Sequence, residues 1–184
     1  MENVREGDSL RLRPEGFSVY ERPGWDEWAM GIARAVSLRG DCTRRRVGAV
    51  LLDARHRVIG CGYNGGPSGG PSCLKGECPR GRHFDYGANG KWQKPGDPLR
   101  ECFCGNSWPC PNAAEPGSSY DNSGPHGSCI SIHAEINCIL DVSDRRRIEA
   151  AVMYVTAEPC TGCRKIIANT SLSRVVWPDG EFEQ

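Results

Sequence analysis

The chain has 184 residues, with 23 Lys+Arg balanced by 23 Asp+Glu. That balance gives no electrostatic footprint for nucleic acid or for an anionic membrane surface, and the length fits one domain with room for an insertion. The opening residues 1–16 are polar and charged, and no apolar run is long enough to span a bilayer. The expected setting is therefore the reducing cytoplasm, where the eleven cysteines serve as thiols and metal ligands instead of a disulfide scaffold.

Residues 1–22 form a loose arm, and residues 23–184 the folded domain. Trp25 to Leu38 is expected as the first helix, with Trp28, Ile32, Ala35 and Val36 recurring at helical spacing as its apolar face. Gly40 ends it before a basic turn, Asp41-Cys42-Thr43-Arg44-Arg45-Arg46. Val47–Leu52 and Arg57–Tyr63 are rich in β-branched and aliphatic residues and flank Asp53-Ala54-Arg55-His56, which predicts a hairpin. His56 is then a solvent-facing turn residue, and Cys61 a strand thiol packed as a small hydrophobe.

A Cys/His-rich insertion occupies about residues 64–129. Its 66 residues include 13 Gly and 9 Pro, and Leu74 and Leu99 are its only aliphatic side chains beyond alanine. Such a segment cannot bury enough apolar surface to offset the entropy of ordering it. It does contain six cysteines and two histidines, enough for two closed four-ligand zinc sites that would supply the missing folding free energy. One division groups Cys73, Cys78, His126 and Cys129 and leaves His83, Cys102, Cys104 and Cys110 as a second candidate structural zinc site. The spacings leave the pairing open, and a loop of reduced thiols is the plain alternative.

Ile130 to Leu140 is expected as the second helix, with His133 and Glu135 in its first turn and Ile136, Ile139 and Leu140 facing inward. Asn137 lies one turn after His133, on the same face, and Cys138 belongs to the core. Asp144–Arg147 is a solvated charge run. Ala151–Thr156 is a buried strand that delivers Glu158-Pro159-Cys160 to the start of a third helix, Cys160 to Asn169. Arg174–Trp177 is the last strand, followed by a short acidic tail. The order α-β-β-α-β-α-β implies a mixed sheet between helical layers.

His133-Ala-Glu135 together with Pro159-Cys160-Thr-Gly-Cys163 supplies the parts of an open catalytic zinc site: one imidazole, two thiols and a carboxylate that is not a ligand. Three protein ligands leave tetrahedral zinc one position for water, whose pKa the metal lowers to about 7. Glu135 can then move protons beside that water. A Cys-x-x-Cys alone is common in structural and redox sites. The non-ligand carboxylate is what sets catalysis apart from a purely structural metal.

The pattern H-x-E…P-C-x-x-C is the signature of zinc nucleobase deaminases. His133-Ala-Glu135-Ile-Asn137, Met153 through Cys163, Val47-Gly-Ala-Val50 and Gly62-Tyr-Asn64-Gly65 resemble the deoxycytidylate (dCMP) deaminases of the cytidine deaminase-like superfamily, over roughly residues 25–78 and 126–178. The resemblance implies a three-layer α/β/α fold around a five-stranded mixed sheet with a long zinc-stabilised insertion, assembled as a homo-oligomer, usually a hexamer. It implies His133, Cys160 and Cys163 as ligands of a catalytic Zn²⁺, Glu135 as proton shuttle and Asn64 near the sugar of a nucleotide substrate. It also supports Cys73, Cys78, His126 and Cys129 as one structural zinc set. It further implies dCTP and dTTP as candidate effectors. Where family members commonly carry Arg-Ser-Thr-Cys or Arg-Ser-Lys-Asp, this chain reads Arg39-Gly40-Asp41-Cys42. Losing the hydroxyls and gaining the Asp41 carboxylate beside the expected phosphate pocket would weaken monophosphate binding by charge repulsion, and Arg44 is the expected phosphate contact. The rival readings are a deaminase of the same fold acting on another amine (a nucleoside, base, triphosphate or other metabolite) and an inactive zinc-stabilised nucleotide-binding module.

Overall fold

Five consecutive residues from Gly48 to Leu52 are all buried, so this strand must be covered on both faces. That requirement organises the rest of the domain. A computed structural model of the chain describes residues 22–82 and 129–184. The arm at 1–21 and the insertion residues 83–128 lie outside the described residues. The elements run α1 (Trp25–Ser37), β1 (Gly48–Leu52), β2 (Val58–Tyr63), α2 (Pro79–Arg82), α3 (Ala134–Asp141), a 3-10 turn (Arg145–Ile148), β3 (Val152–Val155), α4 (Thr161–Ile167), β4 (Arg174–Trp177) and β5 (Gly180–Glu183).

The strands form one mixed sheet in the order β2-β1-β3-β4-β5. β1 is antiparallel to both β2 and β3, β3 is parallel to β4, and β4 is antiparallel to β5. Period-two alternation divides the central strands between two cores. Ala49, Leu51, Met153, Val155 and Val175 pack with Ala134, Cys138 and Ile139 of α3 and Cys163 and Ile167 of α4. On the opposite face Val50, Leu52 and Tyr154 meet Ala29, Met30 and Ala33 of α1. The architecture is therefore α/β/α, as expected.

Two glycines set the closeness of the helical layers. A Cβ on Gly48 would collide with the Ala33 carbonyl oxygen and the Ser37 nitrogen of α1, and one on Gly62 with the Cys138 nitrogen and Ala134 oxygen of α3. Tyr154 ties the layers together through its hydroxyl, which donates to Asp26 of α1 at 2.7 Å. Arg174 of β4 donates to the same carboxylate at 2.6 Å.

Several local expectations change. The buried face of α1 is Ala29, Met30 and Ala33, while Trp28 and Ala35 are exposed. Small residues let the helix sit close to the sheet, and the large Trp28 is left at the rim. Trp25 stacks on His56 with ring centroids 4.2 Å apart, and His56 is an exposed turn residue with φ of 57°. Cys61 and Leu140, expected inside, are exposed. Cys61 alternates away from Gly60 and Gly62, which face α3. Residues 180–183, read as a tail, are the edge strand β5. α3 begins at Ala134 because Ile132 stays extended and exchanges backbone hydrogen bonds with Gly65 at 2.8 and 3.2 Å.

Candidate active site and metal centre

Both halves of the site stand at the entrances of helices that pack on the same sheet face. His133 is the extended residue immediately before α3, with φ −72° and ψ 151°. Cys160 holds the same place before α4, where its Sγ accepts from the Cys163 backbone N–H at 3.5 Å. Such positions bring N–H groups and the positive helix end toward thiolates. The His133 Nδ1 lies 3.2 Å from the Cys163 Sγ and 3.4 Å from the Cys160 Sγ. The three ligand atoms all lie within 4.8 Å of one another. Tetrahedral zinc with ordinary Zn–N and Zn–S bonds places an imidazole nitrogen about 3.6 Å from a thiolate sulfur, so the donors fit this metal with small adjustments. Among the described residues the group consists of these three.

Glu135, one residue into α3 and 4% exposed, is the carboxylate beside them. Burial pushes the Cys163 thiol well up, and the charges of Glu135 and Cys160, each also hydrogen-bonded to it, push it further. Two sulfurs and a carboxylate crowded into a buried pocket repel one another as anions. A divalent cation removes that conflict.

The model of the cytidine and deoxycytidylate deaminase zinc-binding region matches residues 23–178. The chain belongs to this family. It is 38% identical over 157 residues to the deoxycytidylate deaminase of Mycobacterium phage D29, covering 85% of this chain and 96% of that protein. The deoxycytidylate deaminase of Enterobacteria phage T4 is 32% identical, with 79% of this chain and 73% of that one covered. The Schizosaccharomyces pombe deoxycytidylate deaminase is 30% identical over 90% of this chain, which spans 39% of that longer protein. A crystal structure of dCMP deaminase from the cyanophage S-TIM5 in complex with dCMP and dUMP superposes with a TM-score of 0.49 at 21% identity, over 86% of this chain and 83% of that one. The chain is thus a zinc-dependent deaminase, and His133, Cys160 and Cys163 are the residues that can hold the metal.

In this deaminase His133 and Cys160 of the zinc triad line a cavity of about 290 Å³ whose wall also includes Glu135, Asn64, Arg44 and Arg45. Asn64 is buried, and its side chain braces the basic turn. Its Oδ1 accepts from the Val47 N–H at 2.8 Å, and its Nδ2 donates to the Arg45 carbonyl at 2.7 Å. Asn137 donates to the Tyr63 carbonyl at 2.8 Å, fastening α3 to the end of β2.

Asp41 is placed differently from the expectation. Its carboxylate accepts from the Ser72 hydroxyl at 2.7 Å and from the Cys73 N–H at 2.8 Å. Burial raises its pKa, but these bonds and those from the Leu74 and Gly66 N–H groups outweigh it and hold the carboxyl below its usual range. The carboxylate therefore clamps the start of the insertion. It is not part of the cavity lining that carries Arg44 and Arg45.

Cys73, Cys78 and Cys129 share the wall of this same cavity. Cys73 and Cys78 are buried. The Cys78 sulfur accepts from the Gly81 N–H at 3.3 Å and hydrogen-bonds with Cys129 and Cys73. Hydrogen bonding to Cys129, assisted by the Ile130, Gly81 and Cys73 donors, brings the Cys78 thiol down against the effect of burial. Burial first, then the neighbouring charges of Cys78 and Cys42, pushes the Cys73 thiol up. Their companion His126, and His83, Cys102, Cys104 and Cys110, lie outside the described residues.

Arg164 is the site residue that sequence reasoning missed. It holds the Glu158–Cys160 turn from behind through the Pro159 carbonyl at 3.0 Å and Glu158 at 2.8 Å. Its position directly after Cys163 was the only local signal.

Proposed function

We propose that this deaminase hydrolyses the 4-amino group of a cytosine nucleotide, converting dCMP and water to dUMP and ammonia. The observation that carries the reading is one cavity with the ligands His133 and Cys160 and the carboxylate Glu135 on its wall and Arg44 and Arg45 on the same lining. This arrangement suits a ring amine and an anionic phosphate on one molecule, and Arg44 is assigned the phosphate. Engagement of Asp41 by Ser72 and Cys73 turns its carboxylate toward the start of the insertion, and Asp41 is not among the residues lining the cavity. The relatives named deoxycytidylate deaminases support the same substrate.

Zinc held by His133, Cys160 and Cys163 supplies, when bound, a Lewis acid that brings the pKa of the attacking water near 7. Glu135 takes a proton from that water as its oxygen bonds to C4 of the ring, and delivers the proton to N3. The second water proton passes through the same carboxylate to the exocyclic nitrogen as the C4–N bond breaks. Ammonia leaves and N3 keeps its hydrogen, giving the uracil ring. Asn64, already committed to the turn on two sides, braces the Arg45–Val47 backbone from the cavity wall and is assigned to the sugar.

The same reading takes Cys73, Cys78, Cys129 and His126 as ligands of one structural zinc, and His83, Cys102, Cys104 and Cys110 as a second set. Mutual hydrogen bonding of the three described thiols supports the first. It also takes the chain as a cytoplasmic homo-oligomer, hexameric by family analogy and with dCTP and dTTP as effectors. Exposed Leu140 and Ile166 on the two zinc-bearing helices support association with further copies. No helix among the described residues is long and apolar enough to cross a membrane.

Ammonia release from dCMP, dCTP, deoxycytidine and cytosine by zinc-loaded protein tests the assignment. dCMP is expected to exceed deoxycytidine in kcat/KM by about 10-fold or more, the worth of one good charge-assisted phosphate contact. Equal rates for deoxycytidine and dCMP would remove the phosphate reading. Failure of all four would move the activity to another amine.

A further inference from the structure

Arg164 is the first residue after the ligand Cys163, yet its side chain reaches back and across to other groups. Its backbone N–H donates to the Cys160 carbonyl at 2.9 Å, and its Nε donates to the Pro159 carbonyl at 3.0 Å. One residue thus grips the carbonyls on both sides of the Cys160 nitrogen. A terminal nitrogen of the same guanidinium pairs with Glu158 at 2.8 Å, and Glu158 lines the catalytic cavity. The guanidinium carbon lies 5.3 Å from the Trp177 ring centre and 5.0 Å from that of Phe182. These two rings stand on β4 and β5 with centres 6.0 Å apart. Both distances are within the range of cation–π attraction, so an aromatic pair on the edge hairpin fixes the group that fixes the ligand turn.

We propose that Arg164 is a positioning residue for the metal centre, through which the β4–β5 hairpin holds the Cys160 thiolate in ligating geometry. A three-ligand site has less redundancy than a closed one, so the orientation of each ligand weighs directly on metal retention. Groups that orient ligands from behind typically control about 10- to 100-fold in metal affinity. Arginine suits the task because its planar fork serves a carbonyl and a carboxylate at once while its faces meet aromatic rings, which an ammonium cannot do.

Release of zinc from intact, zinc-loaded protein to a chromophoric chelator tests this, with the thermal midpoint measured alongside in excess zinc. Because the readout is metal release, it stands apart from which amine the enzyme deaminates. The phase belonging to the catalytic metal is identified by its loss in His133→Ala. Arg164→Met should accelerate that phase about 10- to 100-fold. Arg164→Lys should fall between Met and wild type, and Glu158→Gln should give a smaller acceleration of the same phase. A wild-type release rate in Arg164→Met would overturn the proposal, as would an acceleration spread equally over all phases that follows a fall in thermal midpoint. Should Arg164→Met not fold, wild-type release from both Arg164→Lys and Glu158→Gln would overturn it equally.

Discussion

Glu135 is a buried carboxylate that hydrogen-bonds with the Cys163 thiol. A structural metal site gains nothing from such a group, whereas a proton shuttle must stand beside the reacting water without binding the metal. Glu135→Gln keeps the shape and loses the proton acceptor. It should retain wild-type zinc content by metal analysis while kcat falls about 10²- to 10⁴-fold, and near-wild-type turnover would remove the role assigned to Glu135. The four residues His133, Glu135, Cys160 and Cys163 were legible because each half of the motif is local in sequence and its chemistry depends on residue type. The engagement of Asp41 was not legible because its partners, Ser72 and Cys73, are 31 and 32 positions away. Arg164 escaped notice for the same reason, since Trp177 and Phe182 belong to other strands.

At the scale of elements, α3 carries Glu135 and follows His133, so its height above the sheet sets the geometry of the site. Gly62 of β2 sets that height: the three atoms nearest to a Cβ there are all backbone atoms of α3, including the Asn137 carbonyl carbon at 2.8 Å. Backbone cannot rotate away, so Gly62→Ala must lift the helix. The expected cost is about 1–3 kcal/mol, typical of overpacking, read as a lowered denaturant midpoint together with faster zinc release. An unchanged midpoint would show that the helix accommodates the methyl without moving. Strands β1, β2, β3 and β4 were legible from β-branched and aliphatic runs. The apolar face of α1 was not, because its contact is made by Ala29, Met30 and Ala33 instead of the bulky residues that dominate a periodicity count. β5 was hidden by Glu181 and Glu183, whose alternation with half-buried Phe182 fits an edge strand with one face in water.

At the scale of the whole molecule, the buried residues of the two cores, among the described residues, come from the sheet, α1, α3, α4 and the segments joining them. Among the described residues, the contacts of the insertion with this body include Asp41, which holds Ser72 and Cys73, and the three thiols that share the catalytic cavity's wall. A metal there would fix the floor of the substrate cavity as well as the loop. Loss of one ligand should therefore damage substrate binding before it damages the sheet. Cys78→Ser tests this, because Cys78 is the sulfur that receives the most donors in the cluster. Metal analysis is expected to return at least two zinc ions per wild-type chain and one fewer in the variant, each structural site carrying its own folding free energy. The KM for nucleotide should rise about 10-fold or more, with a smaller change in kcat, because the zinc triad and Glu135 stand on α3 and α4 outside the cluster. One zinc per wild-type chain would dismiss the structural site. An equal zinc count with unaltered KM in the variant would separate the three thiols from both metal and substrate.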